Sequence, residues 1–272
     1  MLAKNYSNEE ILKFLPNGVK ILIFDIETAP NLAYVWGMWK QNISADKIVR
    51  KSCMLSWAAK WAGQDQMFFD HNMNYGDDPL NDSGTVATLH RLLDNADIVV
   101  GYNSKNFDIK TFNGRCLELG LEPPSPFKHV DLFQTVKANF NLAHKGLNAV
   151  AKHLGVDQKM EHEGFELWVK CMKGDMKAWE TMVKYNQQDI VVTEEVYRLL
   201  RPWIKNHPNL GVFMQEEEPV CPKCGGKHVH YRGYAHTNVS KFRRFQCLNC
   251  GGWGRTRLAE RVQKRPLAVN EI

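Results

Sequence analysis

The chain contains the stretch Val19-Lys20-Ile21-Leu22-Ile23-Phe24-Asp25-Ile26-Glu27-Thr28, an apolar run rich in β-branched residues that ends in two carboxylates. Such a run predicts a buried strand. Side chains alternate along a strand, so Asp25 and Glu27 share one face, and Phe24 and Ile26 lie on the other. Two acids on one face repel each other unless a cation lies between them. The stretch therefore indicates either a solvated acidic turn or a metal site.

Length and composition set the class of protein. A chain of 272 residues has room for one full-sized domain and a small second one. Its hydrophobic content of 44% and aromatic content of 11% are typical of a globular protein. No apolar stretch approaches the roughly 18 residues of a membrane helix, and the N-terminus has no signal-peptide core. We therefore expect a cytoplasmic protein without a membrane partner.

The net charge of +5 is unevenly distributed along the chain. Residues 1–218 contain 24 Lys and Arg against 28 Asp and Glu, a balance of −4. Residues 219–272 contain 11 against 2, a balance of +9. This asymmetry predicts a polyanionic partner for the C-terminal segment.

The pattern of apolar residues predicts alternating strands and helices. Residues 32–61 look strand-like, and 98–101 form a second apolar strand. We predict helices over residues 8–15, 85–95, 130–140, 147–154 and 176–201, with another after Asp108. This order favours a three-layer α/β domain with a mixed central sheet over residues 1–206. A linker over 207–219, a small β-rich domain over 220–258 and a basic tail over 259–272 complete the predicted organisation.

Two groups of side chains have ordinary structural explanations. The aromatic residues of the strand-like segment are expected in the core, although exposed rings of this kind can stack on bases; they are Tyr34, Trp36, Trp39, Trp57 and Trp61. The segment 71–83 is rich in Asn, Asp and Gly, which predicts a surface loop. Its acids Asp77, Asp78 and Asp82 are expected to be solvated.

Two further places offer carboxylates at or near regular elements. Asp108 follows the second apolar strand and begins a predicted helix. Tyr185 and Asp189 lie four residues apart on the last predicted helix, so they project from the same face. Three distant segments can therefore contribute acids to one pocket.

In these motifs the chain resembles the 3′→5′ exonucleases with four catalytic acids, a branch of the ribonuclease H-like fold that includes polymerase proofreading domains and ribonuclease D. The resemblance spans residues 19–201 and has three motifs in order: Phe24-Asp25-Ile26-Glu27-Thr28, Tyr102-Asn103-Ser104-Lys105-Asn106-Phe107-Asp108 and Tyr185-Asn186-Gln187-Gln188-Asp189. Lys184 occupies the position at which the family's histidine subtype has its histidine, so the chain resembles the tyrosine subtype.

The resemblance implies a two-metal mechanism with Mg²⁺ or Mn²⁺, which prefer hard oxygen ligands. By similarity, Asp25 bridges both ions, and Glu27 and Asp189 complete the site on the side of the nucleophile. Asp108 binds the other ion largely through water, and Tyr185 orients the attacking water. The resemblance also implies that Thr28, through its backbone, and the side chains of Asn103 and Phe107 contact the terminal nucleotide.

Four of the seven cysteines form two Cys-x-x-Cys pairs, Cys221 with Cys224 and Cys247 with Cys250. Four thiolates suit one tetrahedral Zn²⁺, and this spacing resembles the zinc ribbons of transposases and transcription factors. Basic and aromatic residues are interleaved between the pairs. Among them, Arg243 and Arg244 are expected to contact phosphates. Phe245 and Trp253 are expected in the ribbon's core.

Together these features predict a metal-dependent 3′→5′ exonuclease that cleaves DNA from the 3′ end and releases nucleoside 5′-monophosphates. The ribbon would capture the nucleic acid, and replication or recombination proteins are the expected protein partners. An exoribonuclease is the alternative within the same class. A zinc-dependent adaptor without catalysis is a hypothesis from another class. An endonuclease or resolvase of the ribonuclease H-like fold is a third possibility, and it would not require the spacing of Tyr185.

Overall fold

A computed structural model describes residues 8–156, 163–214 and 218–260. Residues 261–272 of the predicted basic tail, and residues 215–217 of the predicted linker, lie outside these ranges. The chain forms two compact units whose boundary lies between Val196 and Tyr197. Within the described ranges, no helix is both long enough and apolar enough to cross a membrane.

The first unit alternates strands and helices, as the apolar pattern predicts. Its strands are β1 (Ile21–Thr28), β2 (Leu32–Ala33), β3 (Ile48–Arg50), β4 (Met54–Trp61), β5 (Met67–His71), β6 (Ile98–Gly101) and β7 (Lys128–Asp131). Its helices are α1 (Asn8–Lys13), α2 (Ser83–Asp94), α3 (Asp108–Leu119), α4 (Leu132–Asn139), α5 (Leu147–His153), α6 (Phe165–Met172) and α7 (Met176–Leu200), whose last turn enters the second unit.

The central sheet has five strands in the order β5-β4-β1-β6-β7. Strand β1 pairs antiparallel with β4 and parallel with β6, and β6 pairs parallel with β7. The sheet is therefore mixed and flanked by helices, which confirms the predicted α/β class. The stretch with the two carboxylates is β1, the middle strand, so β4 and β6 on its two sides fix the position of the acids.

The two faces of β1 are used differently, as its alternation predicts. Phe24 and Ile26 pack in an apolar cluster with residues of α2 and α3. Asp25 and Glu27 lie opposite Ala58 and Ser56 of β4, on the other face. A bulge interrupts the β1–β4 pairing between Glu27 and Thr28, directly after the acids. Bulges of this kind often re-aim side chains next to functional sites.

A second apolar cluster packs α6 and α7 against the chain on either side of the bulge. Its buried members are Ala29, Cys53, Leu55, Leu167, Cys171, Ala178, Trp179, Met182 and Tyr185. This cluster fixes the position of α7, which contributes the third sequence motif. Further along α7, Glu194 pairs with Lys60 of β4 at 2.5 Å.

Three expectations about this unit are wrong. The segment 130–140 was expected to be wholly helical, but it contains the end of β7 before α4 begins. Asp82 is buried rather than solvated, because it accepts bonds from the guanidinium of Arg115 at 2.7 Å and from the Met54 amide. Tyr34, Trp36 and Trp39 are exposed, whereas Trp57 and Trp61 are buried as expected. The exposed rings lie between the short strands β2 and β3, outside the central sheet.

The second unit contains α8 (Leu210–Phe213) and a small antiparallel sheet of β8 (Val229–His236), β9 (Lys241–Cys247) and β10 (Trp253–Arg255) in the order β10-β9-β8. This sheet confirms the predicted small β-rich segment. Phe245 is buried in it as expected. Trp253 is 43% exposed, so its assignment to the core is wrong.

Candidate active site

Carboxylates from two distant segments meet on one face of the central sheet. One carboxylate oxygen each from Asp25, Glu27 and Asp189 lie within 4.8 Å of one another. Opposite oxygen ligands of an octahedral Mg²⁺ are about 4.2 Å apart. The spacing and the hard oxygen donors therefore fit a small divalent cation after minor adjustment of the side chains.

An amide whose role the sequence did not reveal positions the first of these acids. Asn186 of α7 donates from Nδ2 to Oδ2 of Asp25 at 3.0 Å, and it is 1% exposed. Ser56 of β4 in turn donates from Oγ to Oδ1 of Asn186 at 3.4 Å. The bond from Asn186 fixes the orientation of the Asp25 carboxylate. The sequence contains one indication of this role: Asn186 and Asp189 are three residues apart and so share a helix face.

Tyr185 is the neighbour of these acids on α7. Its side chain is largely buried and packs edge-on against Trp168, with ring centroids 5.9 Å apart. Burial, first of all, and the charges of Asp189, Glu27 and Asp25 raise the pKa of the phenol. The hydroxyl is therefore protonated at neutral pH and can donate a hydrogen bond.

Asp108 occupies a different position from the other three acids. It lies outside the group of described oxygens within 4.8 Å, and it accepts a hydrogen bond from the Ile26 amide at 3.2 Å. Burial raises the pKa of this carboxyl to about 7, and the charge of Asp131 adds to the shift, although the bond from Ile26 opposes it. Asp108 thus adjoins β1 between the two acids of that strand.

The raised pKa of Asp108 predicts a pH-dependent cost to the fold. An acid whose pKa is higher in the folded state destabilises the protein above that pKa, and the cost disappears below the unfolded value of about 3.9. Without divalent ions, Asp108→Asn should therefore be more stable than wild type at pH 8, by up to about 4 kcal/mol or roughly 10 °C. The advantage should shrink towards pH 5 in thermal unfolding with chelator.

Asp65, an exposed acid in the connection between β4 and β5, provides the control for this experiment. Asp65→Asn should unfold like wild type at both pH values. A constant difference between Asp108→Asn and wild type from pH 5 to 8 would contradict the buried, raised pKa.

The loop before α3 is shaped by a carboxylate of β7. Asp131 accepts hydrogen bonds from the amides of Asn103 at 3.0 Å and Lys105 at 3.1 Å, and also caps α4. Asn103 has a left-handed backbone with φ of 63°, and the two bonds to its loop stabilise this turn. Phe107 is 45% exposed, so its ring is accessible rather than packed at the helix start.

The four cysteines of the two pairs form one cluster. Their sulfur atoms lie within 4.8 Å of one another, with Cys221 and Cys250 at 3.7 Å and Cys224 and Cys247 at 3.6 Å. Ligands at a Zn–S distance of about 2.3 Å form a tetrahedron with edges of about 3.8 Å, whereas a disulfide is about 2.0 Å long. The amides of Gly226 and Gly252 each donate to a sulfur at 3.4 Å. The cluster therefore fits a tetrahedral metal such as Zn²⁺.

Basic side chains cover the aromatic rings of the small sheet. Arg243 lies over Tyr231 at 4.2 Å and Lys241 over Tyr234 at 3.6 Å. Arg244 lies over Trp253 at 4.9 Å. Both candidate arginines are exposed, so their guanidinium groups can reach phosphates, while the rings below them already contact a cation.

Comparison with known families agrees with this geometry. A family model described as the RNase_H superfamily matches residues 22–201, about two thirds of the chain. The matched range contains all three acidic motifs and excludes the four clustered cysteines. No curated protein sequence matches the chain.

Proposed function

The chain belongs to the ribonuclease H superfamily, and we propose that it is a metal-dependent 3′→5′ exonuclease of the four-acid, tyrosine subtype. The superfamily and the acid cluster support a nuclease that acts on nucleic acid with divalent metals. One observation supports the finer assignment: the phenol of Tyr185 lies close enough to Asp189, Glu27 and Asp25, the three acids of the cluster, for their charges to raise its pKa.

In this proposal each side chain has a defined task. Asp25, Glu27 and Asp189 bind the catalytic ions, and Asp108 completes the site through water. Two Mg²⁺ or Mn²⁺ ions, when bound, lower the pKa of a water and stabilise charge on the leaving oxygen. Asn186 orients Asp25, and the protonated Tyr185 orients the attacking water by donation. The backbone of Thr28, with Asn103 and the exposed ring of Phe107, contacts the terminal nucleotide.

The second unit has a separate task in the proposal. One Zn²⁺ bound by Cys221, Cys224, Cys247 and Cys250 stabilises the ribbon, and Arg243 and Arg244 contact phosphates. The +9 balance of residues 219–272 supports capture of a polyanion by this segment, since the rest of the chain is mildly acidic. We propose DNA as the substrate, replication or recombination proteins as partners, and the reducing cytoplasm as the location, because free thiolates require it.

End-labelled oligonucleotides test the activity directly. The wild-type chain should shorten a 5′-labelled single-stranded DNA stepwise in Mg²⁺ or Mn²⁺, and should release labelled mononucleotide at once from a 3′-labelled one. Chelator should stop both reactions, because the acid cluster then lacks its ions. The products are resolved on a denaturing gel, with an RNA oligonucleotide of the same sequence run in parallel.

The same gel separates the competing functions. Faster cleavage of RNA would favour an exoribonuclease, and internal fragments would favour an endonuclease. If the chain binds the DNA and RNA oligonucleotides but cleaves neither of them in Mg²⁺ or Mn²⁺, only the adaptor hypothesis remains. This result would contradict the proposal.

A further inference from the structure

A group of large apolar side chains between β2 and β3 is exposed to solvent. Trp36 is 94% exposed, Met38 89%, Trp39 84% and Tyr34 76%. We call residues 34–47 the aromatic loop. Scattered exposed apolar residues are common, but four large apolar side chains exposed within six consecutive residues indicate an interaction site. Burying an aromatic side chain stabilises a fold, so two tryptophans left in water within four residues need a separate explanation.

The aromatic loop is joined to the candidate active site by both of its ends. The loop begins a few residues after Glu27 and Thr28 of β1. After the loop, the chain continues through β3 into β4. Its base is closed by the Ala29 amide, which donates to the Cys53 carbonyl at 2.9 Å. Ala29 and Cys53 are buried in the same apolar cluster as Tyr185. The base of the loop is therefore packed into the elements that support the acids.

The charge of the aromatic loop favours a polyanion. The aromatic loop has two basic side chains, Lys40 and Lys47, against the single acid Asp46, and the strand β3 that follows it adds Arg50. The first 218 residues as a whole have a balance of −4, so this segment is locally basic within an acidic region. Exposed rings interleaved with cations are typical of surfaces that bind single-stranded nucleic acid, in which bases stack and phosphates contact Lys and Arg.

We propose that the aromatic loop binds the unpaired bases of the substrate strand by stacking on Trp36 and Trp39. This inference rests on the proposed function, and it specifies single-stranded nucleic acid as the form of substrate that the site binds. In the small sheet the rings of Tyr231, Tyr234 and Trp253 already lie under cations. Stacking and charge are thus assigned to different segments, the stacking to the aromatic loop and most of the charge to residues 219–272.

The test compares full-length wild type with the double variant Trp36→Ala, Trp39→Ala. Because both side chains are exposed, the variant should keep its circular dichroism and its unfolding temperature. Its affinity for a 5′-fluorescein single-stranded DNA, measured by anisotropy with chelator present, should fall about tenfold or more. The slope of log affinity against log salt should stay unchanged, since no phosphate contact is removed. A Trp36→Phe, Trp39→Phe variant should recover most of the affinity.

Two controls identify stacking as the cause. The first control is a series of oligonucleotides that each carry one abasic site at a different position. Wild type should bind more weakly when the abasic site lies at one or two particular positions. The alanine double variant should show little change at those positions. Lys40→Ala with Lys47→Ala should instead lower the salt slope by about 1.4, since each phosphate contact on a single strand contributes about 0.7. Unchanged affinity of the Trp36→Ala, Trp39→Ala variant would overturn the inference, and would leave a protein partner as the occupant of the aromatic loop.

Failure of this inference and failure of the proposed function look different. If wild type cleaves from the 3′ end and the double variant cleaves single-stranded DNA with the same KM, only the stacking role is wrong. If wild type neither binds nor cleaves any oligonucleotide, the proposed function fails and this inference fails with it.

Discussion

Asp25→Asn should lower the rate of metal-dependent cleavage by about 10³-fold or more, while the affinity for DNA in chelator stays close to that of wild type. Asp25 shares the cluster with Glu27 and Asp189, and asparagine removes the charge but keeps the shape. Stabilisation by a bound cation is worth several kcal/mol, and about 4 kcal/mol corresponds to roughly 10³ in rate. The asparagine oxygen can still accept from Asn186, so the fold around it should be preserved.

The measurement is single-turnover cleavage of a 5′-labelled single strand over a range of Mg²⁺ and Mn²⁺ concentrations. Asp65→Asn removes an exposed acid from the connection between β4 and β5 of the same unit, and it should cleave at the wild-type rate. Binding of Mn²⁺ to the protein, followed by calorimetry without DNA, should weaken in Asp25→Asn only. Wild-type turnover by Asp25→Asn would refute the assignment of the cluster as the catalytic centre.

The sequence predicts the parts of the site that depend on periodicity. The alternation along β1 places Asp25 and Glu27 on one face, and the structure has them there. The four-residue spacing on α7 places Tyr185 and Asp189 on the same side, and the charge of Asp189 raises the pKa of the Tyr185 phenol. Periodicity is a local property, so one sequence is enough to read it.

Side chains whose roles depend on distant partners were not predictable in this way. Asn186 matters because Asp25, more than 160 positions away, accepts its hydrogen bond. In the sequence alone Asp82 looks like an exposed loop acid, because only the fold shows that Arg115 lies next to it. The strand β7 was missed because its four residues, Lys128–Asp131, include only one apolar residue. Pairing with β6 makes this segment a strand, and its own propensity does not.

The aromatic residues show the same limit. Trp57 and Trp39 are both tryptophans in a strand-like segment, yet one is buried in the sheet and the other is exposed. The difference arises because Trp57 pairs with Ile26 of the middle strand, whereas Trp39 lies in a connection outside the central sheet. Composition indicates that rings are present, and topology decides which of them reach solvent.

Cys247→Ser should abolish zinc binding by the second unit and weaken capture of DNA at least tenfold at about 0.15 M salt. Cys247 is 1% exposed and lies 3.6 Å from the sulfur of Cys224, so a serine there removes one of four ligands from the cluster. A structural zinc site contributes about 10–16 kcal/mol to folding of a small domain. Without it the three-stranded sheet should unfold, and its arginines should no longer be arranged to meet phosphates.

Two measurements separate this loss from damage to the catalytic unit. Zinc content per chain, measured by atomic absorption, should fall from one to near zero. The affinity for a long single-stranded DNA, measured by filter binding, should fall. A short oligonucleotide at saturating concentration should still be cleaved at nearly the wild-type rate. His228→Ser provides the matched control, because His228 is exposed between the cysteine pairs and is absent from the cluster. Since a cluster of four thiolates needs no fifth ligand, that variant should keep both its zinc and its affinity. Loss of zinc from Cys247→Ser with unchanged affinity for DNA would show that the small sheet has another partner, and that capture of the substrate belongs to the first unit.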